Sequence, residues 1–392
     1  MAQRRGQGGW SPTGAARAAR EYKTAVIDFL DRSPTPVRVQ ANTMRSSYRA
    51  LLKVYHDPHK AAGRVLQRNG VWFQAPPSVD WPAHAREVIA REVEVLRSAP
   101  LYVMSPQMCD VTVAAAQTLT MSDLSLLDEA DPPTGQGFLL LPHPVVSDDG
   151  TGRLHMRALG WSVEPGVYPD NTAFDGVGFK MHVRISTYLD VRGLGDDIRD
   201  DLAAEAHADR RTLPAIMLRF VTTLPFHARV PAPHEHERMA RALHATAAEE
   251  ARQVLGEDAA DARAEYAPGS VLPDPEHNFH SRMTYAFFRL AEQRIATSEQ
   301  APVTHSARVL AERAQTTPDV RIIQLRAKTK QSEAEGGHRS VDWSHRWVVQ
   351  MHKVRQWYPS EQRNKIILRG PYVKGPADKP LIGGEVVRAL IR

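Results

Sequence analysis

Leu101-Tyr102-Val103-Met104-Ser105-Pro106-Gln107-Met108-Cys109-Asp110-Val111-Thr112-Val113-Ala114-Ala115-Ala116-Gln117-Thr118-Leu119 changes character at Ser105. The four residues before it are apolar and strand-forming. Ser105 can accept a hydrogen bond from a free N–H one turn on, and Pro106 suits the first helical position, where an N–H has no partner anyway. The helix expected over about Gln107 to Leu119 carries Ala114-Ala115-Ala116, which suits close packing against a sheet. Beyond a turn at Asp131–Gly137, the run Phe138 to Leu141 is wholly apolar, as a central strand covered on both faces must be.

Working outward, residues from Pro12 read as a helix, with Ala18, Tyr22, Ala25, Val26, Phe29 and Leu30 at three-to-four spacing and a stop at Asp31-Arg32-Ser33-Pro34. Met44 to Tyr55 reads as a short second helix, Val71-Trp72-Phe73 as a short strand or aromatic plug, and Pro82 to Leu96 as an amphipathic helix. On the other side, strands are expected at Arg153–Val163 and Gly178–Leu189. In the latter, Phe179, Met181, Val183, Ile185 and Thr187 alternate with Lys180, His182, Arg184 and Ser186, the pattern of one dry and one wet face. An acidic helix follows (Gly193–Arg210), then a strand pair or one long bent strand (Leu213–Phe226) and a helix (Glu235–Leu255). After a Pro-rich stretch (Pro268–Pro275), Ser281–Ala296 reads as a helix with Met283, Phe287, Leu290 and Ile295 inward. Arg321–Lys328, Arg346–Trp357, Lys365–Leu368 and Gly384–Ile391 read as strands.

This order implies an α+β fold: a helical N-terminal part, a mixed or antiparallel sheet and a strand-rich C-terminal end, with no regular βαβ repeat. Residues 1–11 are expected to be a disordered basic arm, 12–267 a mixed α/β region and 268–280 a Pro-rich loop or linker. Residues 281–392 then form a helix plus a basic strand-rich region, as part of the same domain or beside it.

The single cysteine, Cys109, excludes an internal disulfide framework and fits a reducing compartment. With no apolar leader after Met1 and no run long enough to span a bilayer, a cytoplasmic location and no membrane partner are expected. The formal charge of +5 is unevenly spread. Residues 301–392 carry 17 Lys+Arg against 8 Asp+Glu, and residues 1–20 add four Arg and no acid, while the middle is acidic. Basic ends suit a polyanion partner.

Cofactor fingerprints are absent: there is no phosphate-binding Gly-x-x-x-x-Gly-Lys-Ser/Thr and no Gly-x-Gly-x-x-Gly between strand and helix, so no cofactor is expected. His234-Glu235-His236-Glu237 and His277-Asn278-Phe279-His280 pair imidazoles, but without cysteines they read better as surface or capping residues than as a metal site. The pairs Asp196-Asp197 and Asp200-Asp201 read as a solvated helix start, where the dipole welcomes acids. That acidic helix, 196–205, is a candidate surface for a protein partner.

The densest chemistry lies in Trp343-Ser344-His345-Arg346-Trp347 through Trp357-Tyr358-Pro359-Ser360, where three of the seven Trp fall among His, Arg and Lys. Read as one strand from His345, it begins apolar and ends cationic and aromatic, with Arg363 to Arg369 as the return strand. Nucleic acid is the expected partner. Arg346, Lys353, Arg355, Arg363, Lys365, Arg369 and Lys374 are expected at phosphates, and Trp357, Tyr358 and Tyr372 as stacking residues. An enzymatic alternative takes His352 as general acid or base, Arg355 as anion clamp and Tyr358 as donor, with His143 a further candidate after the central strand. A third alternative is a virion, plasmid-maintenance or defence component acting through protein contacts.

The run Gln350 to Ser360, followed by Arg369-Gly370-Pro371-Tyr372-Val373-Lys374-Gly375-Pro376 and Pro380-Leu381, resembles the C-terminal signature of an uncharacterised actinobacterial protein family found in chromosomes, phages and mobile elements. Members read Gly-His-Trp-Arg-x-Gln-Trp-Tyr-Pro-Ser and then Pro-Tyr-x-Lys-Gly-Pro-Glu. Leu101 to Met108, through Gly137-Phe138-Leu139, resembles the family's first half. The chain departs at Lys353-Val354, where the family has Trp-Arg. The resemblance implies a setting in an actinobacterium or its mobile elements and supplies no reaction.

Overall fold

Side chains that take up free N–H groups set where the helices begin. In the computed structural model, Ser11 accepts from Gly14 N to start α1 (Pro12–Arg32), Asp80 from Ala83 N to start α3 (Trp81–Ser98), and Ser105 from Met108 N to start α4 (Pro106–Thr118). Each has proline in its first turn. Between α1 and α3, α2 (Thr35–His56) begins at Thr35 rather than Met44. Ser33 Oγ accepts from Thr35 N, and Arg38 N already reaches Pro34 O. Pro34 therefore opens a helix as well as closing one. The structure describes residues 10–56, 79–119, 121–124, 127, 129–148, 153–165, 181–194, 196–205, 209–226, 270–274, 278–293, 296–326, 346–349, 352–358, 363–369, 372–376, 379 and 381–382. Residues 1–9 of the arm expected over 1–11, the 71–73 plug, the 235–255 helix and the 384–391 strand lie outside them, while Trp10 packs against the core and Ser11 caps α1.

The fold is α+β, built on an eight-stranded mixed sheet. Its strands are β1 (Leu101–Met104), β2 (Gln136–Asp148), β3 (Arg153–Pro165), β4 (Met181–Asp190), β5 (Ile216–Pro225), β6 (Val271–Pro273), β7 (Ala296–Gln300) and β8 (Val320–Leu325), in the order β5-β4-β3-β2-β1-β8-β7, with β6 also on β2. β1 runs parallel to β2 and β8, and β2 to β5 form an antiparallel meander. The opening stretch is thus one parallel β1-α4-β2 unit at the centre of the sheet, with the one-turn helix α5 (Met121–Leu124) between α4 and β2. The stretch Leu213–Phe226 holds one strand, β5, with a register shift opposite Thr187/Tyr188. The expected Pro-rich loop contains β6.

β2 is longer than Phe138–Leu141 suggests. Its register shifts between Leu140 and Val145, across Pro142-His143-Pro144. Two prolines cannot donate to a ladder, so the strand bulges there. β1 pairs before the bulge and β6 after it.

Alternation along the strands sorts the core into two layers. Leu101, Val103, Phe138 and Leu140 meet α1 and α3, whereas Tyr102, Met104, Leu139 and Leu141 meet α4 and α7 (Phe279–Ala291). Within the second layer, Tyr102, Trp161, Phe287 and Phe288 form a ring cluster with neighbouring centroids 5.2–6.3 Å apart. Contacts of this kind add about 0.5–1.5 kcal/mol each beyond area burial. Gly137 lies against the Trp161 ring, where a Cβ would collide with it.

β7 and α8 (His305–Ala314) were not evident in the sequence. β7 reads Ala-Thr-Ser-Glu-Gln at the sheet edge, and α8 buries only Ala307, Ala311 and Ala314. Among the described residues, no helix is long and apolar enough to cross a membrane.

One expectation fails for a physical reason. β4 has no wet face: His182, Arg184 and Ser186 are buried along with Val183 and Ile185. α3 covers the polar face and brings Glu92 onto it. Glu92 accepts from Arg184 Nη1, from Ser186 Oγ at 2.7 Å and from Tyr188 Oη. The alternation marks a polar face correctly but cannot say whether water or a buried carboxylate lies over it.

Candidate nucleic-acid interface

The Trp-rich end is not the single strand expected over His345–Trp357. β9 (Arg346–Val349) and β10 (His352–Tyr358) belong to different sheets. β9 is the middle strand of a three-stranded sheet, antiparallel to β12 (Tyr372–Lys374) and parallel to β13 (Leu381–Ile382). α4 lies against β9 and β12, which ties this sheet to the body. Arg346 Nε donates to Lys379 O at 2.7 Å, so part of this guanidinium closes the small sheet. Gly375 takes a φ of 107°, a conformation that favours glycine. The Lys374-Gly375-Pro376 signature thus has a backbone reason at its centre.

Among the described residues β10 pairs with β11 alone (Arg363–Arg369), as an antiparallel two-stranded ribbon of seven residues per strand. The return strand lies where the sequence places it. Its register opposes His352 to Arg369, Lys353 to Leu368, Val354 to Ile367, Arg355 to Ile366, Gln356 to Lys365, Trp357 to Asn364 and Tyr358 to Arg363. Residues directly opposite belong to one face. One face therefore holds His352, Gln356, Tyr358, Arg363, Lys365 and Arg369 around the Val354–Ile367 pair. The other holds Lys353, Arg355 and Trp357 with Leu368, Ile366 and Asn364. The ribbon thus gathers seven of the ten expected nucleic-acid residues, while Arg346, Tyr372 and Lys374 belong to the three-stranded sheet. His352 and Tyr358 occupy the face opposite Arg355, so the expected enzymatic trio does not converge on one face.

No family model, no curated protein and no solved structure matches this chain.

The other candidates lie elsewhere. His143 stands in the β2 bulge with Nε2 3.8 Å from Asp110 Oδ1 and Nδ1 3.3 Å from Pro144 O. The acidic helix α6 (Asp196–Glu205) buries Leu202 and Ala203, and exposed Asp200 accepts from Arg210 at 3.1 Å. His280 is a core residue of α7: its Nε2 is 3.1 Å from Thr222 Oγ1, its ring stacks edge-on against Phe220, and burial pushes its pKa down to about 3. His234, His236 and His277 lie outside the described residues.

Sequence reasoning missed the buried polar groups. Besides Glu92 and Arg184, Lys23 on α1 is 1% exposed and donates to Ala99 O at 2.6 Å. Desolvation lowers its pKa to about 7. Asp274 accepts from Phe279 N and Arg282 Nη2, holding the start of α7. Burial raises its pKa, partly opposed by Arg282. Lys23 lies where α1 already showed its apolar spacing. A lysine there was the one available signal.

Proposed function

We propose that this protein binds nucleic acid through the basic, aromatic β10–β11 ribbon. The supporting observation is that two paired strands bring together Lys353, Arg355, Arg363, Lys365 and Arg369 with no acidic residue in either strand. Neutralising phosphates releases counterions, so such binding is favoured by a dense local positive charge and weakens with salt. The rest of the chain supplies contrast, since residues 21–300 are acidic overall. The C-terminal signature resembling that of actinobacterial and phage proteins spans this ribbon, which agrees with a role on the nucleic acid of a bacterium or its mobile elements.

Filter binding with a labelled oligonucleotide tests the reading. The Arg355→Ala/Lys365→Ala variant is expected to bind at least about tenfold more weakly near 100 mM salt, given the steep electrostatic dependence of phosphate binding. Unchanged affinity in that variant would remove the ribbon from the interface.

A further inference from the structure

The register of the ribbon carries more than its charge. Proteins that hold single strands by stacking present aromatic residues to successive bases along one groove. Here Trp357 and Tyr358 are adjacent on β10 and so fall on opposite faces, while Tyr372 lies in the other small sheet. His352 shares a face with Tyr358 but sits at the far end of the strand. Neither face offers neighbouring aromatics for consecutive bases.

A two-stranded ribbon, by contrast, fits the major groove of B-form DNA, which is about 12 Å wide, because its strands are only about 4.8 Å apart. A-form RNA presents a major groove too deep and narrow to admit it. The two faces also differ in kind. On one, the cross-strand pairs His352/Arg369, Gln356/Lys365 and Tyr358/Arg363 are polar at both positions. Arg and Lys are the residue types that pair with guanine in the major groove, and Gln with adenine. On the other face, Leu368 and Ile366 oppose Lys353 and Arg355, a mixed surface better suited to lie toward protein.

We infer that the ribbon enters the major groove of B-form duplex DNA with the face of His352, Gln356, Tyr358, Arg363, Lys365 and Arg369 toward the base edges and Lys353 and Arg355 on the side away from them. This rests on the nucleic-acid reading above and specifies its ligand and orientation.

The test uses the full chain and three fluorescent probes of one sequence: duplex DNA, duplex RNA and single-stranded DNA. Two matched variants each lose one Lys and one Arg: Arg363→Ala/Lys365→Ala on the polar face and Lys353→Ala/Arg355→Ala on the mixed face. Charge loss alone would flatten the log–log salt dependence equally in both, by about 1.8. The wild type is expected to bind duplex DNA at least about tenfold more tightly than either other probe, and the polar-face variant to lose at least about tenfold more affinity than the mixed-face one, because only the polar face would lose contacts to base edges. Dimethyl sulfate footprinting of the wild-type complex adds a readout independent of how any variant folds. Protection of guanine N7, in the major groove, is expected. Equal losses in the two variants, protection confined to adenine N3 in the minor groove, or tighter binding to the single strand or RNA duplex would overturn the inference and leave nucleic-acid binding standing. Failure to bind all three probes would overturn both.

Discussion

The sheet body and the C-terminal ribbon treat charge in opposite ways. In the body, buried carboxylates are compensated at short range: Glu92 by Arg184, Ser186 and Tyr188, Asp274 by Arg282, and Asp131 by Arg289 at 2.5 Å. The ribbon concentrates five cations on two paired strands that contain no acid. Charge compensated within the fold specifies structure, because removing one partner leaves the other desolvated and alone. Charge of a single sign gathered on a two-stranded element does little for folding and is useful to an external polyanion. Substitutions should therefore separate cleanly into those that unfold the body and those that weaken binding.

The largest effect is expected at Glu92. Glu92→Ala leaves Arg184 buried without its carboxylate and should cost about 3–5 kcal/mol in urea unfolding. Its affinity for nucleic acid, corrected for the folded fraction, should not change. Loss of binding in the folded fraction would break the contrast between the two regions.

Next comes the pH dependence of the body. Lys23 has a folded pKa near 7, below its ordinary value of 10.5. Between these values the unfolded chain holds a proton that the folded chain lacks, so stability rises with pH across that window, by up to about 1.4 kcal/mol per unit from this group. Below about 7 the contribution levels off. Lys23→Met should be more stable than wild type at pH 7, and its unfolding free energy should change less between pH 7 and 10. His280, with its pKa lowered to about 3 from 6.5, gives the acid counterpart. Its contribution is fully present above pH 6.5 and is lost as pH falls toward 3.

A smaller effect is expected from Gly137→Ala, whose Cβ would meet the Trp161 ring. Overpacking of this kind costs about 1–3 kcal/mol, readable as a lower Tm. The smallest is expected at the ribbon itself: Arg363→Ala/Lys365→Ala should move stability by no more than about 0.5 kcal/mol per site. A large loss of stability there would show that the ribbon is structural after all.

The sequence was most informative where structure is local. Ser11, Ser105 and their prolines announce their helices, and the apolar strand runs locate the centre of the sheet. It was least informative where a distant partner decides. Arg184 looks solvated until Glu92, far earlier in the chain, is laid over it. Residues 346–358 look like one strand, since neither Gln350 nor Met351 is a breaker. What divides them is pairing: β9 is claimed by β12 and β13, and β10 by β11. For the same reason the cations of the ribbon were legible as a group, whereas their division into two faces depends on the β10–β11 register.

The most direct test compares the salt dependence of duplex DNA binding by the wild type and by a chain with Lys353, Arg355, Arg363, Lys365 and Arg369 all changed to Gln. If the ribbon holds the phosphates, the log–log slope should become shallower by at least about 2, at roughly 0.9 for each phosphate no longer neutralised. The same slope in both proteins would place the interface elsewhere.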